Sequence, residues 1–184
     1  MKLVIADVSS LILLEKTGLL KTLTEKFEFI ISKEVKNEAV DKGKECKFPD
    51  AYKIDKLIKN NTIKVKNVNN KNMVEEISKS FNLGAGESES MALFLENKGD
   101  ILATDDRLAI NACKSIGIKT ASSIAFIIES FEKGIIDKIT ADNMIKILAS
   151  EGRYKYEIIF EALNKIGGDK NEWRKISNYK YKNG

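Results

Sequence analysis

Carboxylates that follow short aliphatic segments are the side chains of this sequence best suited to chemistry. Asp7 comes directly after LVIA at residues 3–6, and Asp105 and Asp106 follow ILAT at residues 101–104. None of the 184 residues is a histidine, which excludes Ser-His-Asp and Cys-His mechanisms and every His-ligated zinc or iron centre. Acid–base or metal chemistry must therefore use carboxylates, whose oxygens favour hard cations such as Mg²⁺ or Mn²⁺.

Two glutamates on predicted helices extend this acidic set. Glu87 opens a helix after LGAG at residues 83–86 and lies on a partly apolar face. The positive end of the helix dipole would keep its carboxylate ionised, and a metal would compensate for its burial. Glu38 has apolar neighbours in the helix after the second predicted strand, whereas Glu34 and Asp41 are expected to face solvent. Each acid alone is also explained as a cap or a solvated residue, so the set as a whole favours a shared site.

Several carboxylates gathered in one place require a cation. Like charges within a few ångströms raise each other's pKa, so an ionised cluster normally implies a divalent ion between them. One or two Mg²⁺ ions held in this way can activate a water molecule and neutralise charge on a phosphodiester during in-line attack. Ser9 and Thr104 are candidates for hydrogen bonds to the waters of the metal or to a phosphate, or for simple strand-end caps.

The elements that must position these acids alternate between strands and helices. Strands are predicted at residues 3–6, 27–31, 62–68, 101–104 and 118–121. Helices are predicted after Ser9 and Ser10 up to residue 14, and at 19–26, 32–42, 49–59, about 73–81, 86–98, 106–115, 122–133, about 140–150 and 155–166. This pattern predicts a three-layer α/β/α sandwich with a central parallel five-stranded sheet. In the strand order 3-2-1-4-5, the acids after the first and fourth strands would meet at one edge.

The charge distribution singles out the C-terminal end of the chain. Thirty-one basic and 27 acidic residues give a net charge of +4, too small by itself to indicate a nucleic-acid partner. The excess lies after residue 152, because residues 153–184 carry eight basic and four acidic side chains. The tail, residues 167–184, interleaves aromatic and basic residues, which suits base stacking and phosphate neutralisation but also a solvated terminus. Its candidate RNA contacts are Lys170, Trp173, Arg174 and Lys175.

Cysteine spacing and hydropathy favour a cytoplasmic protein. Cys46 and Cys113 lack CxxC spacing, so they indicate neither a disulfide framework nor a Cys-ligated zinc site. The apolar runs are far shorter than the roughly 20 residues that a membrane span needs. The first apolar segment is also too short for a secretory signal. We therefore expect reduced thiols, no membrane partner and a cytoplasmic location.

Four segments together resemble the acidic blocks of PIN-domain ribonucleases, most closely the VapC-like toxin branch. They are DVSSLI from Asp7, IISKEVKNE ending at Glu38, LGAGESESMAL containing Glu87, and LATDDRLA containing Asp105 and Asp106. The spacing and order agree over about residues 1–130. The likeness continues to about residue 166 through a C-terminal helical extension at about 134–166. It implies a single PIN-like domain at 1–166 followed by the tail.

This resemblance implies a Mg²⁺- or Mn²⁺-dependent endoribonuclease that acts on single-stranded or looped RNA. Such proteins are often homodimers and are often held inactive by an antitoxin protein. Asp7 would be the first metal ligand, Glu38 the second and Glu87 the third, with Asp105 or Asp106 as the fourth. Arg107, which completes a Thr-x-Asp-Arg pattern, is a further candidate RNA contact.

Three alternatives remain at this point. A non-catalytic PIN-fold domain would bind RNA or a protein without cleaving it. A phosphatase on a similar sheet would need a second Asp two residues after a nucleophilic Asp, and Asp7 is followed by Val8 and Ser9. A dinucleotide site ranks lower still, because the glycines at 84 and 86 have no third glycine and are followed by acids.

Overall fold

A computed structural model describes residues 1–151 and 153–167 of the chain. Its strands are β1 (Leu3–Ala6), β2 (Glu28–Ser32), β3 (Ile63–Lys66), β4 (Ile101–Ala103) and β5 (Thr120–Ala121). Its α-helices are α1 (Val8–Thr17), α2 (Leu20–Thr24), α3 (Lys33–Lys36), α4 (Gly43–Glu45), α5 (Pro49–Lys59), α6 (Lys71–Phe81), α7 (Ala85–Asn97), α8 (Arg107–Ser115), α9 (Ser123–Glu132), α10 (Lys138–Ser150) and α11 (Tyr156–Lys165). A π-helical segment, Asn37–Lys42, joins α3 to α4.

The five strands form one parallel sheet in the order β3-β2-β1-β4-β5. This confirms the predicted fold class and strand order. The central strand β1 is aliphatic and buried, as expected for a strand covered by helices on both faces. Ala6 at its end pairs with Ala103 at the end of β4. The residues that follow these two strands therefore start from the same edge of the sheet.

The largest departure from the sequence-based elements lies after β2. A single helix is predicted over residues 32–42, but the chain forms α3, then the π-helical segment, then α4. Hydrophobic periodicity cannot separate these forms, because Val35, Ala39 and Val40 are buried in either winding. π-helical turns occur frequently at functional sites, and this one carries Glu38.

The chain divides into two compact units, residues 1–123 and a second unit that begins at Ile124. The first contains the whole sheet and every candidate acid. The second contains most of α9 together with α10 and α11, which pack on each other. Its start is held by a hydrogen bond from the Ile124 backbone N–H to the Tyr154 hydroxyl at 3.3 Å. The single domain at 1–166, with its extension at 134–166, stays a prediction.

Two sequence-based expectations concern the tail and the membrane. The tail contacts expected at Lys170, Trp173, Arg174 and Lys175 lie outside the described residues. Within the described part of the chain, no helix combines the length and the apolar character needed to cross a membrane.

Candidate metal centre

Asp7 is a buried carboxylate that accepts four hydrogen bonds from three donor groups. It follows β1 and caps the N-terminus of α1, and only 2% of its surface is exposed. Its Oδ1 accepts hydrogen bonds from the Ser10 N–H at 2.8 Å and the Ser9 hydroxyl at 2.9 Å. Its Oδ2 accepts from the Thr104 hydroxyl at 2.5 Å, and Ser9 also reaches it at 3.1 Å. Ser9 and Ser10 thus lie within α1 and donate to Asp7, the residue that caps the helix.

Burial gives Asp7 an unusual charge state. Loss of hydration raises the pKa of the Asp7 carboxyl from 3.8 to about 6, and the nearby charge of Asp105 acts in the same direction. The hydrogen bonds from Ser10, Thr104 and Ser9 oppose this increase without cancelling it. A positive ion beside Asp7 would remove the penalty.

The two aspartates after β4 have different surroundings. The Asp105 backbone N–H donates to the Ser9 hydroxyl oxygen at 2.9 Å, which places this segment beside Asp7. The Asp105 carboxylate accepts from the Ser123 N–H at 2.9 Å and the Ser123 hydroxyl at 2.5 Å. Asp106 caps α8 through the Ala109 N–H at 2.9 Å, and its own N–H donates to Thr104 Oγ1 at 3.2 Å. Both aspartates stay candidates for the fourth acid.

Ser9 and Thr104 therefore act through Asp7 in this structure. Both hydroxyls donate to the Asp7 carboxylate and accept a backbone N–H from the residues after β4. They connect the ends of β1 and β4 and fix the plane of the carboxylate.

Glu38 and Glu87 form a second acidic pair in the same unit. Burial raises the pKa of the half-buried Glu38, and the charges of Glu34 and Glu87 raise it further, while Lys42 opposes them. Glu34 is half-buried and interacts with Glu38, so the expectation that it faces solvent is wrong. Asp41 is exposed as expected.

Gly86 lies between Glu38 of the second acidic pair and Val8 of α1. A Cβ at this buried glycine would lie 3.2 Å from Glu38 Oε1 and 3.2 Å from Val8 Cγ2. Val8 directly follows Asp7, and Gly86 directly precedes Glu87. The absence of a side chain at Gly86 therefore allows the Glu38 carboxylate to approach the start of α1.

Two supporting residues were missed by the sequence reasoning. Glu89 accepts the Glu34 backbone N–H at 3.2 Å and the Lys71 ammonium at 2.9 Å, so it ties α7 to the start of α3. Burial opposes ionisation, yet hydrogen bonds from Lys71 and Glu34 leave the pKa of Glu89 lowered. Ser123 holds Asp105 with two hydrogen bonds. The repeated acid in Glu87-x-Glu89 is a sequence signal that could have indicated Glu89, whereas nothing in the sequence marks Ser123.

Comparison with known proteins identifies the family. A family model described as a PIN domain matches residues 3–168. The chain belongs to the PIN-domain family. No curated protein and no solved structure matches it. PIN domains are typically nucleases, and PIN nucleases generally use divalent metals and bind RNA. The VapC-like branch stays a prediction.

The acids of this PIN domain suit a hard cation in chemistry but form pairs. Within residues 1–151 and 153–167, no three Asp, Glu, Cys or His side chains are close enough to hold a metal ion. The structure instead brings Asp7 next to Asp105 and Glu38 next to Glu87. Both pairs offer carboxylate oxygens, and burial disfavours the ionised form of Asp7 in the first pair and of Glu38 in the second. These features fit Mg²⁺ or Mn²⁺, which would compensate the buried charge. Arg107 is exposed at the start of α8.

Proposed function

We propose that this PIN domain is a Mg²⁺- or Mn²⁺-dependent endoribonuclease that hydrolyses RNA phosphodiester bonds. The observation that carries the proposal is the pairing of Asp7 with Asp105 at the ends of two neighbouring central strands, with Asp7 buried at a cost in free energy. A buried, hydrogen-bonded carboxylate with a raised pKa beside a second acid is typical of functional sites. Capping of α1 explains a polar side chain at position 7 but does not require a charge, because asparagine is an equally good cap.

The chain's own residues have distinct roles in this proposal. Asp7, Glu38, Glu87 and one or both of Asp105 and Asp106 would hold the cation. A bound divalent ion would supply Lewis acidity, which acidifies water and neutralises charge on the scissile phosphate.

Ser9, Thr104 and Ser10 keep the Asp7 carboxylate in one orientation, so little rearrangement is needed when the cation binds. Arg107 stands exposed beside Asp106, where a guanidinium could contact the RNA backbone.

A non-catalytic binding domain is the second candidate function. It is favoured by the arrangement of the acids as two pairs, since no group of three is assembled among the described residues. This alternative predicts RNA or protein binding without cleavage at any Mg²⁺ or Mn²⁺ concentration.

An RNA cleavage assay separates the two candidates. The purified protein would be incubated with a mixed single-stranded RNA pool, with Mn²⁺ or with EDTA, and the new ends would be sequenced. We expect cleavage with Mn²⁺ alone, and a loss of about 100-fold or more in Asp7→Asn and Glu38→Gln. Asp41→Asn is the matched control, because Asp41 lies in the same π-helical segment as Glu38 but is exposed and paired with Lys36 at 2.8 Å. Cleavage that persists in Asp7→Asn would contradict the proposal.

The finer biological role follows the resemblance to VapC-like toxins. On this proposal the protein is the toxin of a toxin–antitoxin pair, acts in the cytoplasm, forms a homodimer and is restrained by an antitoxin protein. Induced expression should arrest growth, and Asp7→Asn should not. Measurement of the mass in solution tests the dimer. Equal growth arrest by the wild type and by Asp7→Asn would contradict the proposal that toxicity arises from RNA cleavage.

A further inference from the structure

Two aromatic side chains project from the surface just after the Glu38 segment. Phe48 is 54% exposed and Tyr52 is 53% exposed. Phe48 is the N-cap residue of α5, and Tyr52 lies four residues later, in the first half of the same helix. Large exposed apolar side chains that lie near each other are common features of binding surfaces.

Phe48 occupies a position where an aromatic residue brings no local benefit. It is the N-cap of α5, and its side chain makes no capping hydrogen bond. Ser, Thr, Asp and Asn are the residues that stabilise this position, whereas apolar residues do not. Helix stability therefore does not account for Phe48.

The backbone around Phe48 is held firmly. The Phe48 N–H donates to the Gly43 carbonyl at 2.9 Å, after a left-handed turn at Lys47 with φ of 58°. A Cβ on Gly43 would lie only 2.8 Å from the Ala51 Cβ, so α4 and α5 are in close contact there. Pro49 then restricts the first position of α5. The ring of Phe48 is thus presented from a fixed support.

The segment that carries the two rings has a surplus of basic residues. Residues 42–59 contain six lysines and three acids, a local excess of +3 in a chain whose total is +4. The Lys44 ammonium lies 5.9 Å from the centre of the Tyr52 ring and 2.5 Å from Asp55. Asp55 also binds Lys59 at 2.8 Å, so one carboxylate is shared by two ammonium groups. Lys47 is exposed next to Phe48.

The segment with the two rings follows directly on the segment that carries Glu38. Lys42 ends the π-helical segment that contains Glu38, and its positive charge acts on the Glu38 carboxyl. Gly43 and Lys44 follow without a break as α4. Because α4 and α5 both pack on the π-helical segment, the lysines and rings belong to the same part of the fold as Glu38.

We infer that Phe48 and Tyr52, flanked by Lys42, Lys44 and Lys47, form a stacking platform for the bases of single-stranded RNA. The rings would stack on bases regardless of sequence, and the ammonium groups would neutralise the adjacent phosphates. The occupant is RNA because exposed rings interleaved with surplus positive charge complement stacked bases and a negative backbone. This inference rests on the proposed function, since it assigns the site that positions its substrate.

Binding measured without divalent ions tests the platform separately from cleavage. The probes are a short fluorescent single-stranded RNA of mixed sequence and the same RNA with abasic positions, both in EDTA. Wild type should bind the intact RNA more tightly than the abasic one. Phe48→Ser and Tyr52→Ser should each weaken binding of the intact RNA by about 10-fold and reduce the preference over the abasic probe. Phe48→Leu should resemble Phe48→Ser, and Phe48→Trp should retain binding.

The stability of the variants can be controlled closely. Serine supplies a helix cap at position 48, which offsets the loss of the half-buried ring, so Phe48→Ser should melt within about 4 °C of wild type. Ile139→Ser is the matched control for loss of an exposed apolar side chain, because Ile139 is 73% exposed and lies on α10. It should bind both probes as wild type does.

The outcomes distinguish this inference from the proposed function. Loss of stacking in the two Ser variants, without any cleavage by wild type, would support the platform and reject the nuclease. Cleavage by wild type together with unchanged RNA binding in both variants would overturn the platform and leave the nuclease intact. A change in oligomeric state with unchanged RNA binding would assign the rings to a protein interface and also overturn it. Absence of RNA binding by wild type would do the same.

Discussion

Replacing Asp7 by asparagine should stabilise the metal-free protein at neutral and alkaline pH. Burial raises the Asp7 pKa from 3.8 to about 6, so the ionised carboxylate costs the folded state roughly 3 kcal/mol. Asparagine has nearly the same shape, is also a good N-cap and carries no charge. The Nδ2 group that would replace Oδ2 cannot accept the hydrogen bond that Thr104 now donates at 2.5 Å, which costs about 1 kcal/mol. The expected net gain is about 2 kcal/mol, or about 4–8 °C in Tm.

The pH dependence of this gain identifies its cause. Because the folded pKa lies above the unfolded pKa, the folded wild type binds more protons between pH 3.8 and about 6. Its free energy of unfolding therefore falls as pH rises through this window. The stability advantage of Asp7→Asn over wild type should be complete above about pH 6 and should disappear below pH 3.8.

Denaturant unfolding in EDTA at several pH values measures the effect. Asp41→Asn serves as the control, because Asp41 is exposed and its replacement should show no such pH profile. Mn²⁺ should then stabilise wild type and have little effect on Asp7→Asn, since a ligand that binds the folded state raises its stability. An Asp7→Asn variant that is less stable than wild type at about pH 8 in EDTA would refute the account of Asp7 as a carboxylate buried at a cost.

Three further predictions concern the same site and the thiols. Thr104→Val removes a donor to a buried carboxylate, so it should lower the free energy of unfolding by about 2 kcal/mol above pH 6 and weaken Mn²⁺ binding. Calorimetric titration measures the Mn²⁺ affinity, and an affinity equal to that of wild type would contradict the prediction. Gly86→Ala places a Cβ 3.2 Å from Glu38 Oε1, while alanine has a higher helix propensity than glycine. Cleavage should therefore fall, although the free energy of unfolding stays within about 1 kcal/mol of wild type. A variant with full activity would show that this contact is unimportant. Cys113 is buried, and burial raises its pKa to about 12, whereas Cys46 is exposed. A thiol reagent should therefore modify only Cys46 in the native protein and both cysteines after denaturation. Rapid modification of both in the native protein would contradict this prediction.

The sheet and the acids at its edge could be predicted because each rests on a short-range pattern. LVIA followed by Asp7 and ILAT followed by Asp105 specify two buried strands with acids at their ends. Once the strands are parallel neighbours, those acids start from one edge of the sheet. Chain position alone therefore determined which end of the sheet carries these acids.

The hydrogen-bond partners of the side chains could not be predicted from the sequence, because they depend on the strand register between distant segments of the chain. The bond from Thr104 to Asp7 joins residues 97 apart, and it forms only because Ala6 pairs with Ala103. The π-helical winding around Glu38 leaves the same residues buried as an α-helix would, so periodicity gives no sign of it. The exposure of Phe48 is equally hidden, because an isolated ring before a proline fits a core position as well as a surface one.

The wide separation of β1 and β4 along the chain also determines when the Asp7–Asp105 pair can form during synthesis. Asp7 leaves the ribosome early, but its neighbours from the β4 end are added 97 residues later, roughly 5 to 20 seconds afterwards at ordinary elongation rates. A growing chain that stops before β4 lacks Asp105, the partner of Asp7, and has an incomplete sheet. On the proposed function, nascent chains and fragments that stop there would therefore leave nearby RNA, including the message being translated, uncut.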